Sequence, residues 1–488
     1  MNPNSSDAIA TSTQSTIRAE LQRIWGYPDF RPPQGEIVQC LLDQQDALIV
    51  MPTGAGKSIC FQLPALLQTG LTVVVSPLVA LMENQVQELR RRCLPAALLH
   101  SQVPTWERKR TLAAIAQQKL RLLYLSPETL LSSAVWQQLS QPDVKINGLI
   151  LDEAHCLVQW GETFRPAYYR LGAVRSALLQ NKPEGTRIAI AAFTATADPP
   201  TQQSIQRLLH LNNPRLFCLN PYRSNLSLEI QTVWTPRQRR QRLLKFIQAS
   251  TGQTGLVYIR TRRDSETLAE WLTQQGFQAA AYHAGLSPDQ RRRIEQAWLG
   301  DTIQFVVCTN AFGMGIDKSA VRWIVHFHTP LLLSEYVQEI GRAGRDGKPA
   351  TALMLISERT GWLDPDDKQR RQFFEHQAHQ QHRTAQALIR KLPMRGEVAT
   401  VSRQFKDGAI ALSLLHSNGR LEWLNPFEYV IKPEVTSAEF GRSNSHAVRQ
   451  MNAYLTTKQC RWRFLLNAFG FASEAQTFRC GHCDNCRR

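Results

Sequence analysis

At 488 residues, with a hydrophobic fraction of 43%, the chain has room for about three domains of ordinary size, each with a buried core. Its formal charge of +17 favours a polyanionic partner such as nucleic acid, although a merely soluble basic protein has the same balance. No apolar run approaches the length of a membrane-spanning helix, and residues 1–16, Ser/Thr/Asn-rich without an apolar stretch, read as a disordered tail and not a signal peptide. Of the 10 cysteines, Cys460, Cys480, Cys483 and Cys486 crowd the C-terminus while the rest are scattered, which argues for a reducing cytoplasm and against a disulfide framework.

A first α/β series occupies residues 17–215. It opens with a helix, the turn Gly26–Gln34 and a second helix. Tyr27 or Arg31 in that turn can stack on a purine, and Gln34 offers both a donor and an acceptor to an adenine edge. Taken alone, the same residues are a proline-rich turn. The apolar run Ala47–Val50 then reads as a buried strand, and Met51-Pro52-Thr53-Gly54-Ala55-Gly56-Lys57-Ser58 joins it to a helix. Strand, glycine-rich turn and helix N-terminus make a phosphate cradle. Thr53, Gly54 and Gly56 let backbone N–H groups approach the phosphates, Lys57 reaches the β/γ-phosphates, and Ser58 is placed to ligate Mg²⁺.

Strands at Leu71–Ser76, Leu122–Leu125 and Gly148–Leu151, with a helix over Leu78–Arg92, predict a parallel sheet flanked by helices. Asp152 and Glu153 end the last of these strands, where α/β proteins bind ligands. Asp152 fits the Mg²⁺ shell and Glu153 the polarisation of an attacking water. Cys156–Pro166 follows. Its Trp160 and Phe164 are core residues in the bland reading, or bases stack on them beside the carboxylates. Thr194 and Thr196 end a further strand and can couple nucleotide state to movement between lobes.

A second α/β series, residues 216–355, has strands at Gly255–Ile259, Ala279–His283 and Phe305–Asn310 but no phosphate loop of its own. It reads as a partner lobe that completes the first lobe's site. Arg342 and Arg345, three apart, share a helix face and suit a γ-phosphate whose charge is growing, since the guanidinium gives bidentate bonds and stays ionised. Residues 356–488 break the alternation. From 361 onward they hold 19 Lys/Arg against 12 Asp/Glu, which suits a phosphate backbone or a solvated surface equally. Three cysteines at two-residue gaps, Cys480, Cys483 and Cys486, with Cys460 on a predicted helix, fit a closed tetrahedral Zn²⁺ site; His482 competes at the same turn.

The ordered set Gly26–Gln34, Thr53–Ser58, Asp152–His155, Phe193–Ala197, Ala311–Asp317 and Gln338–Arg345 resembles the superfamily 2 helicase core, and specifically the RecQ family. The specific marks are Asp152–His155 continuing into Cys156–Pro166, Tyr282–Leu286, Phe312–Ile316, and Gln338–Arg345; Asn467–Gly470 and the cysteines extend the likeness. The resemblance implies two tandem RecA-like lobes followed by a mainly helical zinc-binding region, and an ATP-dependent enzyme that unwinds DNA 3′-to-5′ in repair and recombination. It implies adenine contacts at Tyr27, Arg31 and Gln34, a nucleotide contact at Gln338, an arginine finger at Arg345 with Arg342 as helper, and DNA-coupling roles for Trp160, Phe164, Arg165, Thr194 and Thr196. It further implies single-stranded, forked or tailed duplex DNA as substrate, single-strand-binding and recombination proteins as partners, and a monomer in the cytoplasm or on the nucleoid. An RNA helicase of the same superfamily and a non-catalytic zinc-bearing DNA scaffold are the alternatives.

Three features depart from the family: Ser319 where proline is usual, Arg260-Thr261 where Cys and Ser are commoner, and about a hundred residues between second lobe and zinc ligands. Within that stretch Phe373–Leu392, Gly396–Gln404 and Gly408–Ser417 read as helices and Gly419–Ile431 as a hairpin. Helix, helix, helix and hairpin predicts a winged-helix-like unit over 375–435. The family's winged helix after the zinc ligands and its C-terminal accessory domain are expected to be missing, because the chain stops at Arg488.

Overall fold

The computed structural model describes residues 4–160, 165–312, 318–358, 360–432 and 442–487. Seven strands form the first sheet: β1 (Ala47–Val50), β2 (Leu71–Val75), β3 (Ala96–Leu99), β4 (Leu122–Leu125), β5 (Ile146–Leu151), β6 (Ala189–Thr194) and β7 (Arg215–Cys218). Their order is β3-β4-β2-β5-β6-β1-β7, all parallel. Helices cover both faces, so each central strand is buried from end to end and its sequence is mainly apolar, with Thr72, Asn147 and Thr194 the polar exceptions in β2, β5 and β6. Because β5, β6 and β1 are neighbours, the acidic pair, the Thr194–Thr196 turn and the phosphate loop leave adjacent strands at one edge.

The second sheet comprises β8 (Leu226–Val233), β9 (Gly255–Tyr258), β10 (Ala279–Tyr282), β11 (Phe305–Cys308), β12 (Trp323–His326) and β13 (Ala350–Ser357), in the order β10-β11-β9-β12-β13-β8. Two expectations change here. The second series is expected from near Leu216, but Arg215–Cys218 pairs with β1 on the edge of the first sheet, and the second sheet begins at Leu226. A four-residue strand carries no mark of which sheet it joins. At the other end, the helix Asn4–Trp25 runs through residues assigned to a tail; Ile17, Leu21 and Ile24 in its later turns are buried, and the Ser/Thr-rich start continues their helix.

The C-terminal third divides between the lobes. The helix Asp366–Ile389 is fastened to the second lobe by buried Arg239, whose guanidinium bonds Asp364 at 2.9 Å, Asp367 at 3.0 Å and the Leu355 carbonyl at 3.0 Å. A small antiparallel sheet follows, β14 (Arg395–Glu397), β15 (Leu421–Trp423) and β16 (Glu428–Ile431), in the order β14-β16-β15. With the helices Val398–Gln404 and Gly408–Ser417 it encloses its own apolar core of Leu392, Val401, Leu412, Leu415, Tyr429 and Ile431. Helix, strand, helix, helix, hairpin is the order of a winged helix; β14, three residues long, has no periodicity to read. The helices Arg442–Thr456 and Arg461–Ala468 return to the second lobe, where the Trp462 indole donates to the Leu226 carbonyl at 3.0 Å. Among the described residues no helix is long and apolar enough to cross a membrane.

Arg239→Met should destabilise the second lobe by about 3–5 kcal/mol, because Asp364 and Asp367 would be left buried without a counter-charge. Equilibrium urea unfolding followed by tryptophan fluorescence measures it, and a loss below about 1 kcal/mol would show that the cluster is dispensable.

Candidate nucleotide site and zinc centre

The turn after β1 needs a left-handed backbone twice: Gly54 has φ 81° and Gly56 φ 78°, and a Cβ on Gly56 would overlap the Gln34 amide. Lys57 starts the helix Lys57–Leu67 and its ammonium donates to the Met51 carbonyl at 3.1 Å. The Ser58 hydroxyl accepts from Gln85 at 3.0 Å. Gln34 is buried; its amide donates to the Ala55 carbonyl at 2.9 Å and accepts from the Arg31 N–H at 3.0 Å, so in this structure both functions meant for an adenine edge hold the loop itself. Tyr27 and Arg31 stand exposed at the outer wall.

These residues line a cleft of 490 Å³ together with Asp152, Glu153 and, from the second lobe, Gln338, Arg342 and Arg345. Such a volume is in the range of a small-molecule site. Asp152 is held by its N–H on the Val75 carbonyl at 2.9 Å, and its carboxylate caps the Glu153 N–H at 3.0 Å. Burial, reinforced by the Glu153 charge and only partly offset by Lys57, raises the Asp152 carboxyl to about 7. Glu153 has φ 51°, a left-handed conformation in a residue with a Cβ. His155 links the acids to the neighbouring turn: its Nδ1 lies 3.4 Å from Glu153 and 3.0 Å from the Thr194 hydroxyl, and Thr194 in turn donates to the Thr196 carbonyl at 3.2 Å.

The second lobe reaches over the loop. Thr53 donates to the Gly341 carbonyl at 2.8 Å, and the Arg345 side chain lies against Gly54, its Cδ 3.4 Å from where a Cβ on that glycine would stand. Arg223, which sequence reading passed over, bonds the Gly341 carbonyl at 3.4 Å; burial and the charge of Arg345 lower its pKa. Gln85 was passed over too. Only its position in a helix behind the strand Leu71–Val75 could have pointed to it. Arg260 does not face an open loop: it is largely buried, 3.6 Å from Glu335 and 3.5 Å from Glu339 on the helix Leu333–Ile340 that leads into Gly341–Arg345. Of the remaining candidates, Arg165 bonds the Pro77 carbonyl at 2.6 Å and Glu128 at 3.3 Å. Phe164, the Trp160 side chain and Gly313–Asp317 lie outside the described residues.

At the C-terminus the sulfurs of Cys460, Cys480, Cys483 and Cys486 lie within 4.8 Å of one another. The Cys480–Cys486 and Cys460–Cys483 separations are 3.9 and 4.0 Å, against about 3.8 Å for the edge of a tetrahedron with Zn–S bonds of about 2.3 Å. Backbone N–H groups of Cys480, Cys483 and Arg461 point at sulfurs of the set at 3.3, 3.3 and 3.4 Å, as they would to stabilise thiolates. The hydrogen bond from Cys483 pulls Cys460 down to about 4, whereas burial pushes Cys480 up to about 11. Four sulfurs at tetrahedral separations, three of them met by backbone N–H groups, are the donor set of a divalent soft-ligand metal, and a full set of four leaves no open position. His482 bonds the Tyr222 hydroxyl at 3.3 Å and stays out of the set.

A phosphate loop and acidic pair on one parallel-sheet lobe, faced by arginines from a second, define a two-lobed helicase core. Comparisons with known proteins agree. Residues 31–205 match the DEAD/DEAH box helicase family, 238–347 the helicase conserved C-terminal domain and 425–487 the RecQ zinc-binding domain. The chain is 52% identical over 473 residues to an ATP-dependent DNA helicase RecQ of Synechocystis, covering 97% of this chain and 98% of that one. It is 31% identical to the RecQ of Bacillus subtilis over 96% of this chain and 66% of that one. In fold it resembles the DEAD-box helicase Mss116 bound to single-stranded RNA, with a TM-score of 0.59 at 18% identity over 70% of this chain and 73% of that one. The chain belongs to the RecQ family of ATP-dependent DNA helicases.

Replacing Cys483 by Ser removes one of four ligands from a region whose buried residues, among them Tyr454, Trp462 and Leu465, pack into the second lobe's core. It should give protein that holds no zinc and is cleaved rapidly by protease after about residue 440. Metal analysis with limited proteolysis checks this; a stable, metal-free variant would remove the structural role.

Proposed function

We propose that the chain couples ATP hydrolysis to 3′-to-5′ separation of DNA strands, with forked or tailed duplex as substrate, in repair and recombination. The observation that carries the reading is the convergence of Lys57, Asp152 and Glu153 from one lobe with Gln338, Arg342 and Arg345 from the other on a single cleft. In this reading the adenine lies against Tyr27 and Arg31, displacing the Gln34 amide from the loop. The Thr53–Ser58 backbone and Lys57 hold the β/γ-phosphates. Ser58 and Asp152 are oxygen donors on the same wall, and the raised Asp152 carboxyl favours a cation beside it, so they would hold Mg²⁺, which neutralises phosphate charge when bound. Glu153 orients and deprotonates the attacking water, and Arg345, helped by Arg342, stabilises the charge that grows on the transferred phosphoryl group.

Coupling to DNA runs through His155, which joins Glu153 to Thr194, and through Arg165 on Pro77. Family membership supports DNA over RNA, a monomer in the cytoplasm or on the nucleoid, and exchange of the strand with single-strand-binding and recombination proteins. A non-catalytic scaffold is disfavoured by the complete set of hydrolytic side chains.

Lys57→Ala should lower DNA-stimulated ATP turnover by about a hundredfold or more while leaving DNA affinity within about twofold. Unchanged hydrolysis would refute the site. Polarity and substrate are decided by strand-displacement assays on matched DNA and RNA duplexes with 3′ or 5′ tails. The 3′-tailed DNA should open with ATP and not without it; preference for RNA or for the 5′ tail would overturn that part of the reading.

A further inference from the structure

In a winged helix the helix before the hairpin ordinarily lays its exposed face in a DNA groove. Here that helix is Gly408–Ser417, Gly-Ala-Ile-Ala-Leu-Ser-Leu-Leu-His-Ser, without a lysine or arginine. It is mostly apolar and largely buried, with Ser413, His416 and Ser417 at i, i+3 and i+4 making a narrow uncharged polar stripe along one face. One face covers the unit's own core. The other lies on the first lobe, on the short helical segment Pro166–Ala173. Ser413 donates to the Pro166 carbonyl at 3.4 Å, the His416 ring lies 5.6 Å from that of Tyr169, and Ala173 belongs to the unit's apolar cluster.

The hairpin supplies a second anchor. The Asn425 side chain accepts from the Phe427 and Glu428 N–H groups at 2.8 and 3.0 Å, which fixes the turn. The turn presents Phe427 edge-on to Trp136, centroids 5.1 Å apart, against the first lobe's core. Beside it Arg170 donates to the Pro426 carbonyl at 3.3 Å. Between the two anchors is a cavity of 320 Å³ whose walls include Glu128, Arg165 and Arg170 from the lobe and Val398 and Trp423 from the unit. The unit's exposed cations, among them Arg395, Arg403 and Lys406, are on other elements.

The chain reaches this unit from the second lobe, through the helix tied down by Arg239, and returns to the second lobe at the zinc centre. A covalent extension of one lobe therefore grips the other. What it grips leads toward the phosphate loop: Arg165 holds the Pro77 carbonyl, Pro77 precedes the helix Val79–Arg91, and Gln85 on that helix bonds Ser58.

We propose that residues 392–431 are an intramolecular clasp and not a reader of duplex grooves. By fixing Arg165–Ala173 on the first lobe the clasp sets how strongly bound DNA accelerates ATP hydrolysis, which makes Phe427 and Arg170 positioning residues. The proposal rests on the helicase reading above.

The test uses the full chain carrying Phe427→Asp, with Arg170→Ala as a milder variant that removes the bond to Pro426 and the charge facing Glu128. Hydrogen exchange should quicken in 165–173 while the zinc region and the unit's own strands stay protected. ATP turnover without DNA should be unchanged, and the maximal DNA-stimulated rate should fall about fivefold or more, the usual scale of coupling between sites. The DNA concentration for half-maximal stimulation should hold. Unaltered exchange at 165–173 with full stimulation in both variants would overturn the clasp. So would weakened duplex binding with a reduced salt slope and intact stimulation, since that is the signature of a groove reader. If the unaltered protein showed no DNA-stimulated turnover the helicase reading would fail, whereas the exchange result would still decide whether the unit grips the lobe. Should Phe427→Asp unfold the unit, Arg170→Ala decides between clasp and groove reader from the lobe's side.

Discussion

Everything at the nucleotide cleft depends on how closely two backbones approach at Thr53 and Gly341. The hydroxyl-to-carbonyl bond there is 2.8 Å, and a Cβ on Gly341 would stand 2.5 Å from the Thr53 oxygen. On the facing side the Arg345 side chain packs over Gly54, its Cδ 3.4 Å from where a Cβ would stand, an ordinary contact distance. Gly341 thus brings the two backbones close enough for an arginine from one lobe to rest on the phosphate loop of the other. Charge makes the contact conditional. Lys57, Arg342 and Arg345 line a space that a polyphosphate would fill, with Arg223 beside them on the Gly341 carbonyl, its pKa lowered by burial and then by the Arg345 charge. A polyanion that meets all of them in the closed arrangement and fewer in an open one shifts the lobes toward closure, because only differential interaction moves such an equilibrium.

The acidic wall obeys the same logic with the sign reversed. Asp152 and Glu153 sit side by side and buried, so the Asp152 carboxyl is raised to about 7 and a cation is favoured beside it. The left-handed backbone at Glu153 turns its side chain off the strand axis, toward His155 and Thr194. That strain persists because the neighbouring strands β2 and β6 pin the residues on either side of Glu153, through the Asp152 N–H on the Val75 carbonyl at 2.9 Å and the Ala154 N–H on the Phe193 carbonyl at 2.8 Å. The buried acids and the Thr194–Thr196 turn are therefore joined into one piece by the Ala154–Phe193 and His155–Thr194 bonds.

The parts legible in the sequence are those whose chemistry demands contiguous residues. A phosphate loop is a backbone shape, so its glycines, lysine and serine have to stand in fixed order, and the acids that end β5 follow an apolar strand that announces itself. The cysteine knuckle is equally local, with Cys460 20 residues before Cys480. What stayed hidden depends on partners that only folding brings near: Gln85 is 27 residues from Ser58, Arg165 88 from Pro77, and Arg223 118 from Gly341. β7 and β14 were hidden for a different reason. Both are short edge strands that stay largely exposed, so neither carries the buried apolar run that marks the equally short β1 and β4. The winged-helix order could be read from helix and hairpin lengths, but the role of Gly408–Ser417 turned on which surface buries it.

That surface explains why an extension of this kind tolerates a neutral, apolar helix where cations would be expected. An apolar helix exposed to water would be an aggregation hazard, and a lysine on it would be stranded once docked on Pro166–Ala173. The two ends of the C-terminal third consequently have opposite chemistry. The zinc region holds to the second lobe with the buried Arg461–Asp484 pair at 2.9 Å and with Asp484 accepting from the Ile230 N–H at 3.1 Å, contacts that fix orientation and break together. The clasp holds to the first lobe through the Phe427 and His416 rings and single hydrogen bonds at the Pro166 and Pro426 carbonyls, contacts that lose less on a small shift than a buried charge pair does. An arm fastened by buried ion pairs on one lobe and seated by such contacts on the other can follow a motor through opening and closing without being released by either.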